Sequence, residues 1–262
     1  MSVVTSPRLL FIVPYRDREQ QLLFFDRHMT DVVLKDTPVT DYRIVYVHQN
    51  DTRSFNRGGL KNIGFLWARQ TYPEAYRDMT LIFNDVDNMP FTAGFLDYAT
   101  TRGKVKHFYG FKHTLGGIVA ITGADFERCG GFPNFWAWGY EDNAFQHRVL
   151  AAGIAIDRSQ FYPIFDKNIL LFVDGMSRSV NRREFDRYLG KTGEGFRGIR
   201  NLRMDPVEEE TGFINVNYFD TDFPEDKAAT KEHDLRKGAH PFKGPAARGG
   251  GKWSMSFVRN GK

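Results

Sequence analysis

Three short apolar runs, Leu9-Leu10-Phe11-Ile12-Val13, Arg43-Ile44-Val45-Tyr46-Val47 and Leu81-Ile82-Phe83, are separated by two stretches of helical composition, and this alternation constrains the fold more than any other feature. A short apolar run bounded by turn signals reads as a buried strand, and Pro14 is expected to stop the first one. Glu19 to Met29 has helical composition. In Leu60 to Gln70 the residues Leu60, Ile63 and Trp67 recur at helical spacing, with Pro73 beyond the end. Strand, helix, strand, helix, strand up to Phe83 predicts an α/β fold with a parallel sheet, because parallel neighbours need a crossover that a helix supplies.

After residue 100 the order becomes mixed. Val105 to Phe111 and Gly117 to Ile121 read as strands, and Thr122-Gly123-Ala124-Asp125 reads as a helix start whose Thr and Asp side chains accept from exposed N–H groups. A further helix beginning near Glu141 would place Phe145, Val149 and Ala152 on one face and end at Gly153. Periodicity fades beyond about residue 190, apart from the alternating segment Gly212 to Tyr218. From Asp226 onward Lys, Arg, Gly and Pro dominate, which predicts a domain over 1–225 followed by a poorly ordered basic tail over 226–262.

At 262 residues the chain suits one hydrophobic core with an appended tail. Hydrophobic residues make up 41% and aromatic residues 15%, including 24 Phe, which excludes a disordered protein. A net charge of +4 is too small to specify a nucleic-acid partner, so a solvated tail outweighs nucleic-acid binding. The single Cys129 excludes a disulfide within the chain and reads as a small core residue. No run approaches the roughly 20 apolar residues that span a bilayer, and Met1 to Pro7 lacks the basic and apolar regions of a signal peptide. A cytoplasmic protein or a soluble catalytic fragment is therefore expected. Gly58-Gly59-Leu60-Lys61 lacks the spacing of a phosphate-binding P-loop, and the seven His show no metal-site spacing.

Three segments can carry chemistry. Asn84-Asp85-Val86-Asp87 stands where the third strand runs out. In an extended segment residues i and i+2 point the same way, about 6 to 7 Å apart. Asp85 and Asp87 could thus serve one hard divalent cation that bridges phosphate oxygens, or could cap a turn. Pro14-Tyr15-Arg16-Asp17-Arg18 follows the first strand: Arg16 and Arg18 offer planar forks to phosphate or a base edge, and Tyr15 offers a ring for stacking, unless these are ordinary loop residues. Phe132 to Asp142 holds Trp136 and Trp138 in a loop with Gly and Pro and delivers Glu141 and Asp142 to an expected helix N-terminus. Flat rings suit the apolar faces of sugars, and an ionised carboxylate beside them suits a base for a sugar hydroxyl; the alternative is a core Trp pair ahead of an acidic first turn.

In order and spacing these segments resemble the β-1,4-galactosyltransferase family of inverting enzymes with a GT-A fold, in which a mixed, mostly parallel central sheet is flanked by helices in a single domain. The matching stretches are Val13 to Arg18, Phe55 to Gly64, Phe83 to Asp87, Gly116-Gly117-Ile118 and Gly131 to Asp142. The resemblance implies transfer of a hexose or N-acetylhexosamine (Gal, GalNAc or related) from a UDP-sugar to a saccharide hydroxyl, with Mn²⁺ or another divalent cation. It places Pro14, Tyr15, Arg16, Arg18, Phe55 and Arg57 on the nucleotide, Asp85 and Val86 by the ribose, and Asp87 on the metal. Trp138 would line both substrate pockets, Glu141 would hold sugar hydroxyls and Asp142 would be the general base. Phe185 and Tyr188 resemble the acceptor-pocket segment.

The sequence departs from the family at three places. Where the family has a His metal ligand the aligned residue is Met176, a poor ligand for a hard cation, which leaves Asp174 or the donor diphosphate to complete the site. Thr114 replaces a Tyr of galactose-specific members and enlarges the expected donor pocket. Glu184 stands where the family pattern has Arg, which unsettles recognition of an N-acetylglucosamine acceptor. A nucleotide-sugar or glycan-binding module of the same fold without turnover is the alternative.

Overall fold

The computed structural model describes residues 6–173, 175–238 and 240–242. The alternation at the N-terminus becomes β1 (Leu9–Tyr15), α1 (Glu19–His28), β2 (Tyr42–Gln49), α2 (Arg57–Thr71) and β3 (Thr80–Asn84). β1 lies between β2 and β3, parallel to both, and all seven of its residues are buried. Leu10 and Ile12 enter one apolar cluster while Leu9, Phe11 and Val13 enter another, as the two-residue period of a strand requires. α2, with Leu60, Ile63 and Trp67, packs into the first cluster, and α1 sends Phe25 into the second before a π-helical turn at Met29–Val33.

Pro14 does not stop β1. Pairing with β3 ends at Ile12 opposite Phe83, whereas pairing with β2 continues to Tyr15 opposite His48. Beyond Ile12 the strand is thus bonded on one side only, a position that a residue without an N–H tolerates.

The chain continues through β4 (Asn88–Pro90), β5 (Lys104–Gly110), β6 (Ile118–Thr122), α3 (Gly123–Cys129), α4 (Glu141–Ala151), β7 (Ala155–Asp157), β8 (Tyr162–Pro163), β9 (Ile169–Leu171), β10 (Ser177–Asn181), α5 (Arg182–Leu189), β11 (Arg200–Met204), β12 (Phe213–Asp220) and β13 (Thr230–Asp234). The main sheet runs β11-β12-β2-β1-β3-β6-β5-β7, with β8 also on β5. It is mixed and mostly parallel: β6 runs antiparallel to β3 and β5, and β11 antiparallel to β12. Thr122 caps α3 by accepting from the Asp125 N–H at 3.2 Å, but the Asp125 carboxylate turns away to the Gly103 N–H at 2.6 Å. Phe145 and Val149 of α4 are fully buried, and the Phe145 ring stacks on Phe132 at 3.9 Å between centroids. Cys129 is buried at the end of α3, and burial pushes its thiol up to about 11.

Secondary structure is described beyond residue 225 as well. β13, despite its sequence Thr-Lys-Glu-His-Asp, pairs antiparallel with β10, Ser177 opposite Asp234 through Asn181 opposite Thr230. The ladder needs only backbone groups, and Phe242 provides the apolar anchor that composition concealed, buried against Phe185 with ring centroids 5.5 Å apart. Residues 243–262, the rest of the expected tail, lie outside the described residues. No helix among the described residues is long and apolar enough to cross a membrane.

Candidate functional site

A cleft of about 460 Å³ opens at the carboxyl ends of β1 and β3, where α/β sheets bind ligands. Pro14 reaches it from β1 with Arg16 and Arg18 just beyond, Asp85, Val86 and Asp87 from the turn after β3, Phe55 from the β2–α2 connection and Arg57 from the first residue of α2. Trp138 and Glu141 line the other wall, with Ser177 to Ser179 of β10.

The first turn of α2 is fastened before it supplies any charge. The Asn56 side chain accepts from the Gly59 N–H at 2.8 Å and donates to the Asn134 carbonyl at 3.1 Å, tying the helix start to the loop ahead of the two Trp residues. Gly58 permits this approach, since a Cβ there would stand 2.1 Å from the Pro133 oxygen. Arg57 then meets three carboxylates: Nη1 donates to Asp85 Oδ2 at 2.6 Å, Nε to Glu141 Oε1 at 2.9 Å, and Nη2 to Asp142 Oδ2. One turn further along the same face, Lys61 Nζ lies 3.4 Å from Asp85 Oδ1 and 3.6 Å from Asp142 Oδ1.

Two cations thus face three carboxylates in a largely dry space. Burial alone would lower the Arg57 pKa, but Asp142, Asp85 and Glu141 hold it well above the ordinary value. Burial would raise Asp85, and Arg57 and Lys61 overcome that to leave it lowered. Glu141 is raised, since burial and the neighbouring Asp142 charge outweigh Arg57. Asp87 stands apart: burial, then the charge of Asp85, push its carboxyl up to about 6. Its side chain accepts from the Asn88 amide at 2.8 Å, and no cation lies within ion-pair range of it among the described residues.

The carboxylates are placed by backbone. Asp85 donates its N–H to the Gly117 carbonyl at 3.2 Å, and the Asp142 carbonyl accepts from the Leu115 N–H at 3.1 Å. A Cβ on Gly116 would fall 2.1 Å from Asp142 Oδ2, so this glycine is what lets the carboxylate lie against the loop. Gly139 (φ 105°) and Tyr140 (φ 70°) turn the chain through the left-handed region and start α4, whose first two residues are Glu141 and Asp142. The helix N-terminus favours both as anions.

The D-x-D segment is not extended. β3 ends at Asn84, and Asp85 accepts the Asn88 N–H at 3.3 Å across a turn, so Asp85 faces the cations while Asp87 is left on its own. Tyr15 does not line the cleft: it is only 6% exposed, with Phe213 and His48 each 5.4 Å away between ring centroids. Trp136 is a core residue, 3% exposed and stacked on Phe219, that only edges the cleft, whereas Trp138 borders the cleft and also packs on the aromatic cluster behind it. That cluster contains Phe185 and Tyr188, which back Trp138 and Tyr140 and do not border the cleft. Arg16 is tied to the Arg53 carbonyl and Arg18 donates to the Asp17 carbonyl at 2.9 Å. Thr114 forms a local turn with the Phe111 carbonyl at 3.1 Å, Met176 is exposed, and Asp174 lies outside the described residues.

Two residues gained roles that the sequence did not give them. Lys61 is one; its only signal is a Lys four residues after Arg57 on a helix face otherwise small or apolar. Glu184 is the other. From the first turn of α5 its buried carboxylate accepts the N–H groups of Trp136 at 2.8 Å and Ala137 at 2.9 Å, so it fastens the loop that carries Trp138. Burial raises its carboxyl to about 7 against those two N–H groups and Arg187.

Residues 3–95 match the family model described as the N-terminal region of glycosyl transferase group 7, and residues 98–168 match that described as the N-terminal domain of galactosyltransferase. Human β-1,4-galactosyltransferase 5 is 30% identical over 223 residues, 80% of this chain and 53% of that protein. Drosophila melanogaster β-1,4-galactosyltransferase 7 is 32% identical over 162 residues, 58% of this chain and 48% of that protein. The chain spans about half the length of the curated relatives it matches. Among solved structures, a mutant of the Drosophila β-1,4-galactosyltransferase 7 in complex with manganese, UDP-Gal and xylobiose aligns with a TM-score of 0.64 at 22% identity, covering 88% of this chain and 97% of that one. The catalytic domain of the same enzyme with xylobiose aligns with a TM-score of 0.62. The fold is therefore that of a GT-A glycosyltransferase.

Proposed function

Because this chain belongs to the β-1,4-galactosyltransferase family, we propose that it is an inverting glycosyltransferase that moves a hexose or N-acetylhexosamine from a UDP-sugar to a saccharide hydroxyl. The observation that carries this reading is the cleft-lining Arg57, which bonds both Asp85 of the Asp85–Asp87 turn and Asp142, the residue next to the cleft-lining Glu141 at the start of α4. A base and a phosphate-binding edge are what a single displacement at a sugar carbon needs.

In the proposed step the Asp142 carboxylate takes the proton of the acceptor hydroxyl. The oxygen bonds to the anomeric carbon as the bond from that carbon to the diphosphate breaks, and the electron pair leaves with UDP from the opposite face. Trp138 offers its ring to the sugars, Glu141 accepts from sugar hydroxyls, and Phe185 and Tyr188 support the acceptor side through Trp138. Pro14, Arg16, Arg18, Phe55, Asp85 and Val86 form the donor side, where the diphosphate oxygens compete with carboxylates for Arg57.

Asp87 fits a hard divalent cation: its carboxylate borders the cleft without an ion-pair partner among the described residues, and burial and the Asp85 charge raise its pKa. No group of three His, Cys, Asp or Glu that could hold a metal occurs among the described residues, so Asp87 and diphosphate oxygens would hold Mn²⁺ or a similar ion, with Asp174 as the proposed further ligand. The ion would offset charge on the departing diphosphate. The manganese and UDP-Gal bound by the Drosophila enzyme support this reading.

A screen of UDP-sugars with Mn²⁺, read as UDP release with and without saccharide acceptors, tests the proposal. Asp142→Asn should lower transfer roughly 10²- to 10⁴-fold while UDP binding persists. Ordinary turnover by folded Asp142→Asn would refute Asp142 as base. Binding of UDP-sugar without release under any donor would favour the non-catalytic module instead.

A further inference from the structure

We propose that Lys61 is a positioning residue for this transfer: from behind the cleft its ammonium holds Asp85, which lines the cleft, and Asp142, in the first turn of α4, whatever occupies the cleft in front. The inference rests on the transferase reading and assigns a residue to it.

Lys61 sits in the middle of α2 between Leu60 and Ile63, in a stretch buried without a break from Gly58 to Phe65, and is itself 1% exposed. A helix face packed into a core ordinarily presents an apolar side chain at such a slot. Burying an ammonium costs several kcal/mol unless opposite charges meet it. Here two do, at Asp85 Oδ1 (3.4 Å) and Asp142 Oδ1 (3.6 Å), and the Phe132 ring lies 4.8 Å from Nζ. Neither oxygen accepts a hydrogen bond from any described group, so the ion pairs with Lys61 are what each of them faces.

The two cations divide the carboxylates between them. Arg57 takes Oδ2 of Asp85 and Oδ2 of Asp142, and Lys61 faces Oδ1 of each. They differ in what a ligand can reach. The Arg57 side chain is 25% exposed and borders the cleft, so an anionic ligand there competes with the carboxylates for it. Lys61 borders no part of the cleft. Once Arg57 turns to a ligand, Lys61 is the one cation within ion-pair range of Asp142 among the described residues. It then fixes where the Asp142 carboxylate points when the acceptor arrives.

Lys61→Met keeps length and removes charge. The expected result is a kcat lower by roughly 100-fold, the effect of misplacing a reacting group by about 1 Å, with UDP affinity and donor KM little changed. Lys61→Arg should recover part of the loss. A folded Lys61→Met enzyme with the wild-type kcat, or with a lowered melting temperature as its only defect, overturns the proposal. Should Lys61→Met fail to fold, Lys61→Gln, which keeps a buried donor without the charge, is held to the same two outcomes. A wild-type chain that transfers from no UDP-sugar removes the transferase reading itself, whereas an active wild type with unaffected variants removes Lys61 alone.

Discussion

Replacing Glu184 by alanine should destabilise the protein by roughly 2 to 6 kcal/mol, because two buried N–H groups, each costing about 1 to 3 kcal/mol when orphaned, lose their acceptor together. The groups are those of Trp136 and Ala137, and both residues are buried. For a chain of this size the loss corresponds to a drop of roughly 5 to 20 °C in melting temperature. Urea denaturation at pH 8 gives the free energy, and a second series across pH gives its origin. Burial raises the Glu184 carboxyl from 4.5 to about 7 in the folded protein. Below 4.5 the group is protonated in both states, and above 7 it is ionised in both. Between them the folded protein holds a proton that the unfolded chain has released, so this group's contribution to stability falls as pH rises through that window, by about 3 kcal/mol at most. Glu184→Ala should lack that slope. A loss under about 1 kcal/mol, with the urea m-value unchanged, would refute the claim that this carboxylate fastens the loop.

Three further perturbations have defined outcomes. Gly116→Ala places a Cβ 2.1 Å from Asp142 Oδ2 and should lower kcat by roughly 100-fold with the melting temperature nearly kept; unchanged kcat would show that the carboxylate does not need that space. UDP with Mn²⁺ at about 100 times its dissociation constant should stabilise the wild type by roughly 2.7 kcal/mol in a thermal-shift assay, and Asp87→Ala should abolish the Mn²⁺-dependent part; a persisting shift would put the metal elsewhere. Phe242→Ala should cost about 3 to 5 kcal/mol by emptying the pocket over Phe185, and a neutral result would show that the segment after residue 225 does not brace the aromatic cluster.

The strands and helices of the first half were legible because a buried strand reads as an apolar run and a core helix as a 3.6-residue recurrence. The start of α4 at Glu141 was legible too, in its acidic first turn. What could not be read is which apolar or charged side chain faces which way. Tyr15 and Trp136 carry the composition of ligand-stacking rings and are packed into the core, because sequence does not say that Phe213 and Phe219 of β12 lie beside them. Lys61 carries the composition of a solvated face and is buried, because its partners are 24 and 81 positions away and meet only in the fold. β13 was hidden for a similar reason: a polar edge strand is held by backbone bonds to β10, and no side-chain pattern records them.

The lone thiol offers a way to watch all of this. Cys129 closes α3 within the apolar cluster under the sheet, where burial pushes its thiol up to about 11, so it becomes reactive only when opening of the structure returns it to water and to an ordinary thiol pKa. A thiol reagent therefore acts as a clock set by opening of the structure. Since no other cysteine competes for the label, the rate in each variant reports how often that part of the core comes apart, under native conditions and without denaturant.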